Sequence, residues 1–265
     1  MIRKAAVSGQ FYSHDAQEIQ KQITHFNQLL DEHLEDKTIL DKPTKMIIVP
    51  HAGYIYSGFT ANIAHRIMAT SKVKRVIVIG PSHRVYISGA SIALHDNYET
   101  PYGVLGMDKA YAQKIKASHG LMFEEDAHYE HSTETQMPFI KHYLPQVQVC
   151  EIVYGDISYQ KLSSVIETVL EDEDNVVVIS TDLSHFYTLD KANRLDKRCL
   201  EAIKQADSQK LGENGCEACG KTGVMAALDV AKKHAFKVEV LDYRTSADVT
   251  GDRDSVVGYM SAIIG

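Results

Sequence analysis

The sequence lacks the features that mark several large classes of protein. No apolar run approaches the roughly 20 residues of a membrane span. Residues 1–8 lack the long apolar core of a signal peptide. Lys and Arg number 28 against 35 Asp and Glu, so the formal net charge is −7 and the basic face of a nucleic-acid-binding protein is not expected. The sequence therefore predicts a cytoplasmic protein that binds neither a membrane nor nucleic acid.

Cysteine is scarce, and the familiar nucleotide and nucleophile motifs are missing. The chain has four cysteines, too few and too scattered for a disulfide framework. Cys216 and Cys219 form one CxxC, which is weak evidence without a second pair, so buried small residues at a helix start are favoured over redox or metal chemistry there. No G-x-S-x-G, Walker A or strand-linked G-x-G-x-x-G motif is present. These absences exclude several common enzyme classes.

What the sequence does contain is a recurring strand that ends in a histidine. Residues 46–51 (MIIVPH), 76–83 (VIVIGPSH) and 176–185 (VVVISTDLSH) each run from a β-branched apolar stretch into a turn with a histidine. The carboxyl ends of parallel strands are where open α/β sheets bind ligands. The three histidines, His51, His83 and His185, are therefore expected at one edge of a sheet.

Strands alternate with helices along the chain, and the strand cores are almost continuously apolar. This pattern predicts an α/β protein with a mostly parallel or mixed central sheet covered by helices on both faces, in a single domain over 1–265 with an antiparallel closing edge. The predicted strands are 46–49, 75–79, 91–94, 147–153, 175–180, 238–243 and 256–264. The predicted helices are 14–35, 58–70, 108–118, 159–170, 189–205 and 220–233, with another from Ser132 or Thr133 toward Leu144 and a turn over 98–103.

Histidines at equivalent strand ends indicate a metal site or a catalytic cluster. Imidazole is a common ligand of zinc and iron, and two His with a carboxylate is the pattern of non-haem Fe(II) oxygenases. The alternative for any single one is a loop histidine bonded to backbone. His131, next to a helix start, fits a capping residue or a general acid/base equally well. Asp182 fits an orienting partner of His185, a cap of the turn, or both.

A second polar stretch, residues 243–254, follows a predicted strand and is also expected at the rim of the sheet. Asp248 and Asp252 carry hard oxygen ligands in reach of a metal. The alternative is an Asx-rich turn in which Arg244 and Arg253 pair with the acids. Both roles are compatible in one loop.

A set of ordered motifs resembles the MEMO family, also called AmmeMemoRadiSam system protein B. The resemblance runs from residues 8–12 nearly to the C-terminus. Its motifs are 49–54 (VPHAGY), 80–83 (GPSH), 130–132 (EHS), 180–185 (STDLSH), 219–221 (CGK), 248–252 (DVTGD) and 257–259 (VGY). The resemblance implies a three-layer fold like that of the LigB-like class III extradiol dioxygenases, which hold Fe(II) with two His and a carboxylate.

The same resemblance implies roles for particular residues. His51 and His83 look like metal ligands, His185 like a third ligand or the acid/base, and His131 like the second active-site histidine. Animal members carry a Cys in the C-terminal loop, where this sequence has Val249, so Asp248, Asp252 or His185 is expected to complete the site.

Two classes of function remain open at the level of sequence. The first is a metal-dependent redox or dioxygenase-like enzyme with Fe(II), or zinc or copper in its place, in which His185, His131 and Asp182 take part in catalysis and His51, His83, His185 and Asp248 hold the metal. A metal-dependent hydrolase is a weaker enzymatic alternative. The second is an adaptor that binds a peptide in the same cleft, as animal relatives are described to do with phosphotyrosine-containing receptor tails. Microbial relatives imply radical-SAM and AMME-type protein partners. The histidines at the strand ends favour the enzyme.

Overall fold

A computed structural model describes residues 1–34 and 36–265 of the chain; Glu35, where the sequence predicts the first helix to end, lies outside them. The strands are β1 (Ile2–Arg3), β2 (Met46–Val49), β3 (Arg75–Pro81), β4 (Ala90–Ile92), β5 (Asn97–Thr100), β6 (Gly103–Met107), β7 (Gln148–Tyr154), β8 (Asn175–Ser180), β9 (His185–Tyr187), β10 (Val238–Thr245) and β11 (Val256–Ile264). The helices are α1 (Ala16–His33), α2 (Tyr54–Met68), α3 (Lys109–His119), α4 (His131–Glu134), α5 (Met137–Tyr143), α6 (Tyr159–Leu170), α7 (Leu189–Lys204), α8 (Ser208–Glu213), α9 (Lys221–Lys233) and α10 (Ala247–Thr250). Two 3-10 turns cover Lys37–Asp41 and Glu125–His128.

The strands of the described residues join in an 11-stranded mixed sheet. Its order is β1-β5-β6-β7-β3-β8-β2-β11-β10, with β4 beside β7 and β9 beside β11. β7, β3, β8 and β2 are parallel, and β11 and β10 close that edge antiparallel, as predicted. Because β8 lies between β2 and β3, the carboxyl ends of three histidine-bearing segments meet at one edge.

Helices cover both faces of this sheet, which confirms the predicted fold class. Alternate strand residues point to opposite sides: Ile77 and Ile79 pack into one core with α3, α6, α7, α8 and α9, while Val76 and Val78 pack into the other with α1, α2 and α5. The central strands are buried on both sides, which explains why they read as unbroken apolar runs. Among the described residues, no helix is both long and apolar enough to cross a membrane.

The local predictions differ most from the structure around residues 97–107. The turn predicted over 98–103 is wrong in extent, because β5 and β6 form an antiparallel hairpin there with only Pro101 and Tyr102 between them. Buried and half-buried residues alternate in β5 over only four positions, which is a weak signal of a strand. Pro101 and Gly103 beside it are typical of a turn, so the sequence pattern predicts a turn there. β1, β9, α8 and α10 are short elements that the sequence analysis did not predict.

Candidate metal centre

Three histidines converge at the carboxyl edge of the parallel strands. His51 follows β2, His83 follows β3, and His131 is the first residue of α4. One ligand nitrogen from each lies within 4.8 Å of the other two, so that the group could hold a metal ion. The ring centroids of His83 and His131 are 4.5 Å apart, and His51 is 5.2 and 5.3 Å from them.

The short helix α4 is placed against the end of β3 by a close contact. The Ser132 hydroxyl donates to the Pro81 carbonyl at 2.7 Å. Gly80 makes this approach possible, since a Cβ at that position would lie 2.5 Å from the Ser132 Oγ and 2.9 Å from the Thr133 Cγ2. Glycine at the strand end therefore allows His131 to reach the two strand-end histidines.

Glu130 orients two of the three imidazoles. Its Oε1 accepts from the Nδ1 of His131 at 2.8 Å and of His83 at 3.2 Å, and its Oε2 accepts from the His83 backbone N–H at 2.7 Å. A carboxylate only accepts hydrogen bonds, so both Nδ1 atoms carry a proton, and in the neutral form of each ring Nε2 is the nitrogen with the lone pair. This is the carboxylate–histidine arrangement that fixes the tautomer of metal ligands.

The tautomer of His51 is set by Ser180 at the end of β8. The Ser180 hydroxyl donates its one proton to the Ser132 carbonyl at 2.5 Å, and its oxygen lies 2.9 Å from the His51 Nδ1. The hydroxyl has no second proton to give, so the imidazole donates from Nδ1 and its Nε2 is left unprotonated. All three histidines thus have Nδ1 engaged, and the Nε2 of His51 faces the Cys219 Sγ at 3.3 Å.

The electrostatics of the site favour neutral imidazole beside an ionised carboxylate. Burial, together with the nearby His83 and His131, lowers the pKa of His51 to about 4, although Asp182 opposes the shift. Burial would raise the pKa of Glu130, but hydrogen bonds from His131 and His83 outweigh it and the pKa lies well below its usual range. At neutral pH the His51 ring is therefore uncharged, as a metal ligand must be.

The residues present fit a transition metal or zinc. Imidazole nitrogen is a ligand of intermediate softness that suits zinc, copper and iron, whereas magnesium and calcium prefer oxygen. The His83 side chain is 31% exposed and that of His131 is 17% exposed, while His51 is buried. A bound ion would thus be reached from the side of His83.

His185 and Asp248, both predicted as metal ligands, are not part of the three-histidine group among the described residues. After β8 the chain turns into β9, which pairs antiparallel with β11. His185 is opposite Val257 in that pair of strands, which is separate from the parallel strands β2, β3 and β8. Asp248 is exposed, and its Oδ2 accepts from the Thr245 backbone N–H at 2.7 Å. The roles predicted for both residues stay predictions.

Asp182, which the sequence predicts as a partner of His185, contacts His51. Its Oδ1 accepts from the His51 backbone N–H at 2.8 Å, and its Oδ2 is 3.9 Å from the His51 Nε2. The carboxylate is buried at the end of β8. Val249, which the sequence analysis matches to a Cys of animal family members only by resemblance, is 48% exposed on α10. Asp252 supports its own turn by accepting from the Asp254 backbone N–H at 2.9 Å.

Two features of the site were missed by the sequence analysis. The sequence pattern assigns no role to Glu130, and its position directly before His131 is the only local signal of one. The CxxC was read as two simple buried residues, whereas Cys216 forms a disulfide with Cys199 and Cys219 lies with its Sγ 3.3 Å from the His51 Nε2. Burial and the nearby Asp182 raise the pKa of the Cys219 thiol to about 12.

Comparison with known proteins shows a likeness along almost the entire chain. A family model described as "Memo-like protein" matches residues 3–263. A MEMO1 family protein of Aquifex aeolicus is 34% identical over 99% of this chain and 98% of its own length. MEMO1 family proteins of Methanobrevibacter smithii and Saccharolobus solfataricus are 33% and 32% identical, covering 99% and 100% of both chains respectively.

Proposed function

The chain belongs to the Memo-like protein family, and from that premise we propose that His51, His83 and His131 bind a divalent metal ion at the centre of a redox or dioxygenase-like enzyme. Fe(II) is the first choice, and zinc or copper are the alternatives. The observation that carries the proposal is the convergence of three imidazoles whose Nδ1 atoms are bonded elsewhere.

A redox-active metal held at this site would bring an oxidant and an organic substrate into contact and would stabilise the charge that develops. The protein supplies the geometry for this. Glu130 and Ser180 hold the imidazoles in a fixed tautomer, and the exposed side of His83 leaves an approach for the substrate. Asp182, whose Oδ2 lies 3.9 Å from the His51 Nε2, remains the proposed catalytic or orienting carboxylate. His185 remains the proposed acid/base from the edge ribbon.

The test of this proposal is the metal content of protein purified without oxygen. We expect close to one equivalent of iron, zinc or copper, and its loss in His51→Ala, His83→Ala and His131→Ala. His25→Ala, which changes an exposed histidine of α1, is the matched control and should keep the metal. Less than about a tenth of an equivalent in the unaltered protein would contradict the proposal. Oxygen uptake with a panel of catechols and related phenols then tests the enzymatic part.

The family resemblance extends the proposal to partners, namely a radical-SAM protein and an AMME-type protein that act with this chain. Such a shared pathway would supply a reactive substrate close to the metal. Co-purification of the three proteins from one host tests it. Recovery of this chain alone, with the other two expressed and soluble, would count against the complex.

A second candidate, a peptide-binding adaptor, is favoured by exposed aromatic side chains that follow His83 and His185 in sequence. Tyr86 is 81% exposed three residues after His83, and Phe186 is 77% exposed directly after His185. Phe186 also has a φ of 63°, a left-handed conformation that is costly for an aromatic residue and is often kept for function. Tyr86→Ala with Phe186→Ala should abolish phosphotyrosine-peptide binding if this candidate is correct, and leave the metal content unchanged.

A further inference from the structure

We propose that Gln136 is a positioning residue of the metal site, because its side-chain amide holds His51 in place through Pro50 and Ser180. This inference rests on the proposed function, since it concerns how a metal ligand is held. Gln136 lies between α4 and α5, and it is fully buried. A buried amide must find partners for its polar atoms, and the partners of this one are the groups that fix His51.

The peptide group between Pro50 and His51 is held on both sides. The Gln136 Nε2 donates to the Pro50 carbonyl at 2.9 Å. On the other side, the His51 backbone N–H donates to the Asp182 Oδ1 at 2.8 Å. Because a peptide group is planar, two opposed hydrogen bonds fix its orientation, and with it the direction in which the His51 side chain leaves the backbone.

The imidazole of His51 is held by Ser180, and Gln136 binds that residue as well. The Gln136 Nε2 donates to the Ser180 Oγ at 3.0 Å, and the His51 Nδ1 lies 2.9 Å from the same oxygen. The Ser180 hydroxyl donates its proton to the Ser132 carbonyl, so its oxygen accepts from both nitrogens and both of its lone pairs are occupied. The hydroxyl that binds His51 therefore has one orientation in which all its hydrogen bonds are made.

The orientation of the Gln136 amide follows from its partners. A carbonyl only accepts hydrogen bonds, so the NH₂ group faces Pro50 and the Oε1 faces the other way, toward His65. The His65 Nε2 lies 2.9 Å from this oxygen and must therefore donate. The His65 Nδ1 is buried without a hydrogen-bond partner among the described residues, which fits a ring whose proton is on Nε2. His65 is thus the tautomer opposite to that of His51.

The partners of Gln136 come from separate parts of the chain. His65 is on α2, Pro50 follows β2, and Ser180 ends β8. Gln136 itself follows α4, so its amide ties the helix that carries His131 to the strand end that carries His51. A glutamine that only satisfies its own polar atoms in the core is the alternative reading. That reading predicts a loss of stability on substitution and no separate effect on the metal.

Zinc is the probe for the experiment, because it has no redox chemistry and histidine is one of its commonest ligands. The metal-free full chain is titrated with zinc by calorimetry, and its stability is measured in urea. We expect Gln136→Leu to weaken zinc binding about 10- to 100-fold, the usual effect of losing a residue that orients a ligand.

Asn175→Leu is the matched control. Asn175 is also a fully buried amide, and its Nδ2 donates to the Val169 carbonyl at 2.8 Å, but it begins β8 at the end of the strand away from the site. We expect this variant to lose stability and to bind zinc with unchanged affinity. Equal weakening of zinc binding in the two variants would assign the effect to lost stability, and the inference would be overturned.

The outcomes separate this inference from the proposed function. If Gln136→Leu binds zinc as tightly as the unaltered protein while His51→Ala does not bind it, the inference is overturned and the histidine site stands. If the unaltered protein binds no zinc, both are overturned.

A second measurement needs no variant, and it decides the question if Gln136→Leu does not fold. Long-range proton–nitrogen correlation spectra of the unaltered, metal-free protein report which ring nitrogen of each histidine carries the proton. We expect Nε2–H for His65 and Nδ1–H for His51. A proton on the His65 Nδ1 would mean that the Gln136 amide is turned the other way, with its oxygen toward Pro50, and would overturn the inference.

Discussion

At the scale of single residues, the site depends on which atom of each histidine is free. Glu130 and Ser180 bind the Nδ1 atoms, and this leaves three Nε2 atoms for a metal. Neither partner belongs to the group of residues that could hold the metal among the described residues. Their effect is exerted through the histidines, so their substitution should weaken metal binding without abolishing it.

Glu130→Gln should lower zinc affinity about 10- to 100-fold, the usual cost of losing a carboxylate behind a ligating histidine. The side-chain amide of Gln can be oriented in two ways. In one its NH₂ group faces the Nδ1–H groups of the two imidazoles, and in the other it faces the His83 backbone N–H, so in both a donor meets a donor. Calorimetric titration of the metal-free protein measures the change. Glu125→Gln, at a carboxylate that is 52% exposed, is the control. An unchanged affinity in Glu130→Gln would contradict the tautomer assignment.

His131→Ala and His185→Ala distinguish two sets of metal ligands. One is the three-histidine group of the structure, and the other is the set predicted from the sequence. The three-histidine group contains His131 and does not contain His185 among the described residues. We expect His131→Ala to lose the metal and His185→Ala to keep close to one equivalent, as measured by elemental analysis. The reverse result would restore the ligand set expected from sequence.

At the scale of elements, the strand ends were predictable from sequence and the approach of α4 was not. Apolar runs that stop at Pro50 and Gly80 locate two histidines at one edge, because parallel strands share their carboxyl ends. The position of His131 depends on the packing of α4 against β3, and that of His185 on its pairing with Val257. Both are contacts between distant parts of the chain, which leave no local pattern to read.

Gly80→Ala should therefore destabilise the protein and weaken the site. The added Cβ would be 2.5 Å from the Ser132 Oγ, so α4 has to shift away from β3 and take His131 with it. We expect a loss of about 1–3 kcal/mol in the free energy of unfolding, measured in urea, and weaker metal binding. Gly106→Ala on β6 is the control, since nothing lies within 4 Å of its added Cβ. Equal stability of the two variants would contradict the role of Gly80.

At the scale of the whole molecule, buried neutral histidines couple stability to pH. His65 is fully buried in α2, where its Nε2 donates to the Gln136 Oε1 at 2.9 Å, and burial lowers its pKa to about 4. The pKa of an unfolded histidine is about 6.5. At a pH between that pKa and the folded pKa of about 4, the unfolded chain binds a proton at His65 that the folded chain does not bind. The stability that neutral His65 contributes is therefore fully present above the pKa of the unfolded state. It is lost as the pH falls toward the pKa of the folded state.

The metal-free protein should lose about 2 kcal/mol of stability per buried histidine of this kind between about pH 6.5 and pH 5. Burial lowers the pKa of His51 to about 4 as well, so both residues contribute. The free energy of unfolding depends on pH with a slope to which each buried histidine contributes. In His65→Leu this slope should fall by the contribution of His65. His25→Leu, at an exposed position, should leave the slope unchanged. Urea midpoints across this range measure it, and an unaltered slope in His65→Leu would contradict the assignment.

The most direct test of the central claim is a crystal structure with anomalous scattering data from protein that holds iron, zinc or copper. The account predicts one anomalous peak bound by the Nε2 atoms of His51, His83 and His131, with Glu130 behind two of the imidazoles. A peak held instead by His185 or Asp248, or no peak at the three histidines in protein shown by elemental analysis to carry the metal, would contradict it.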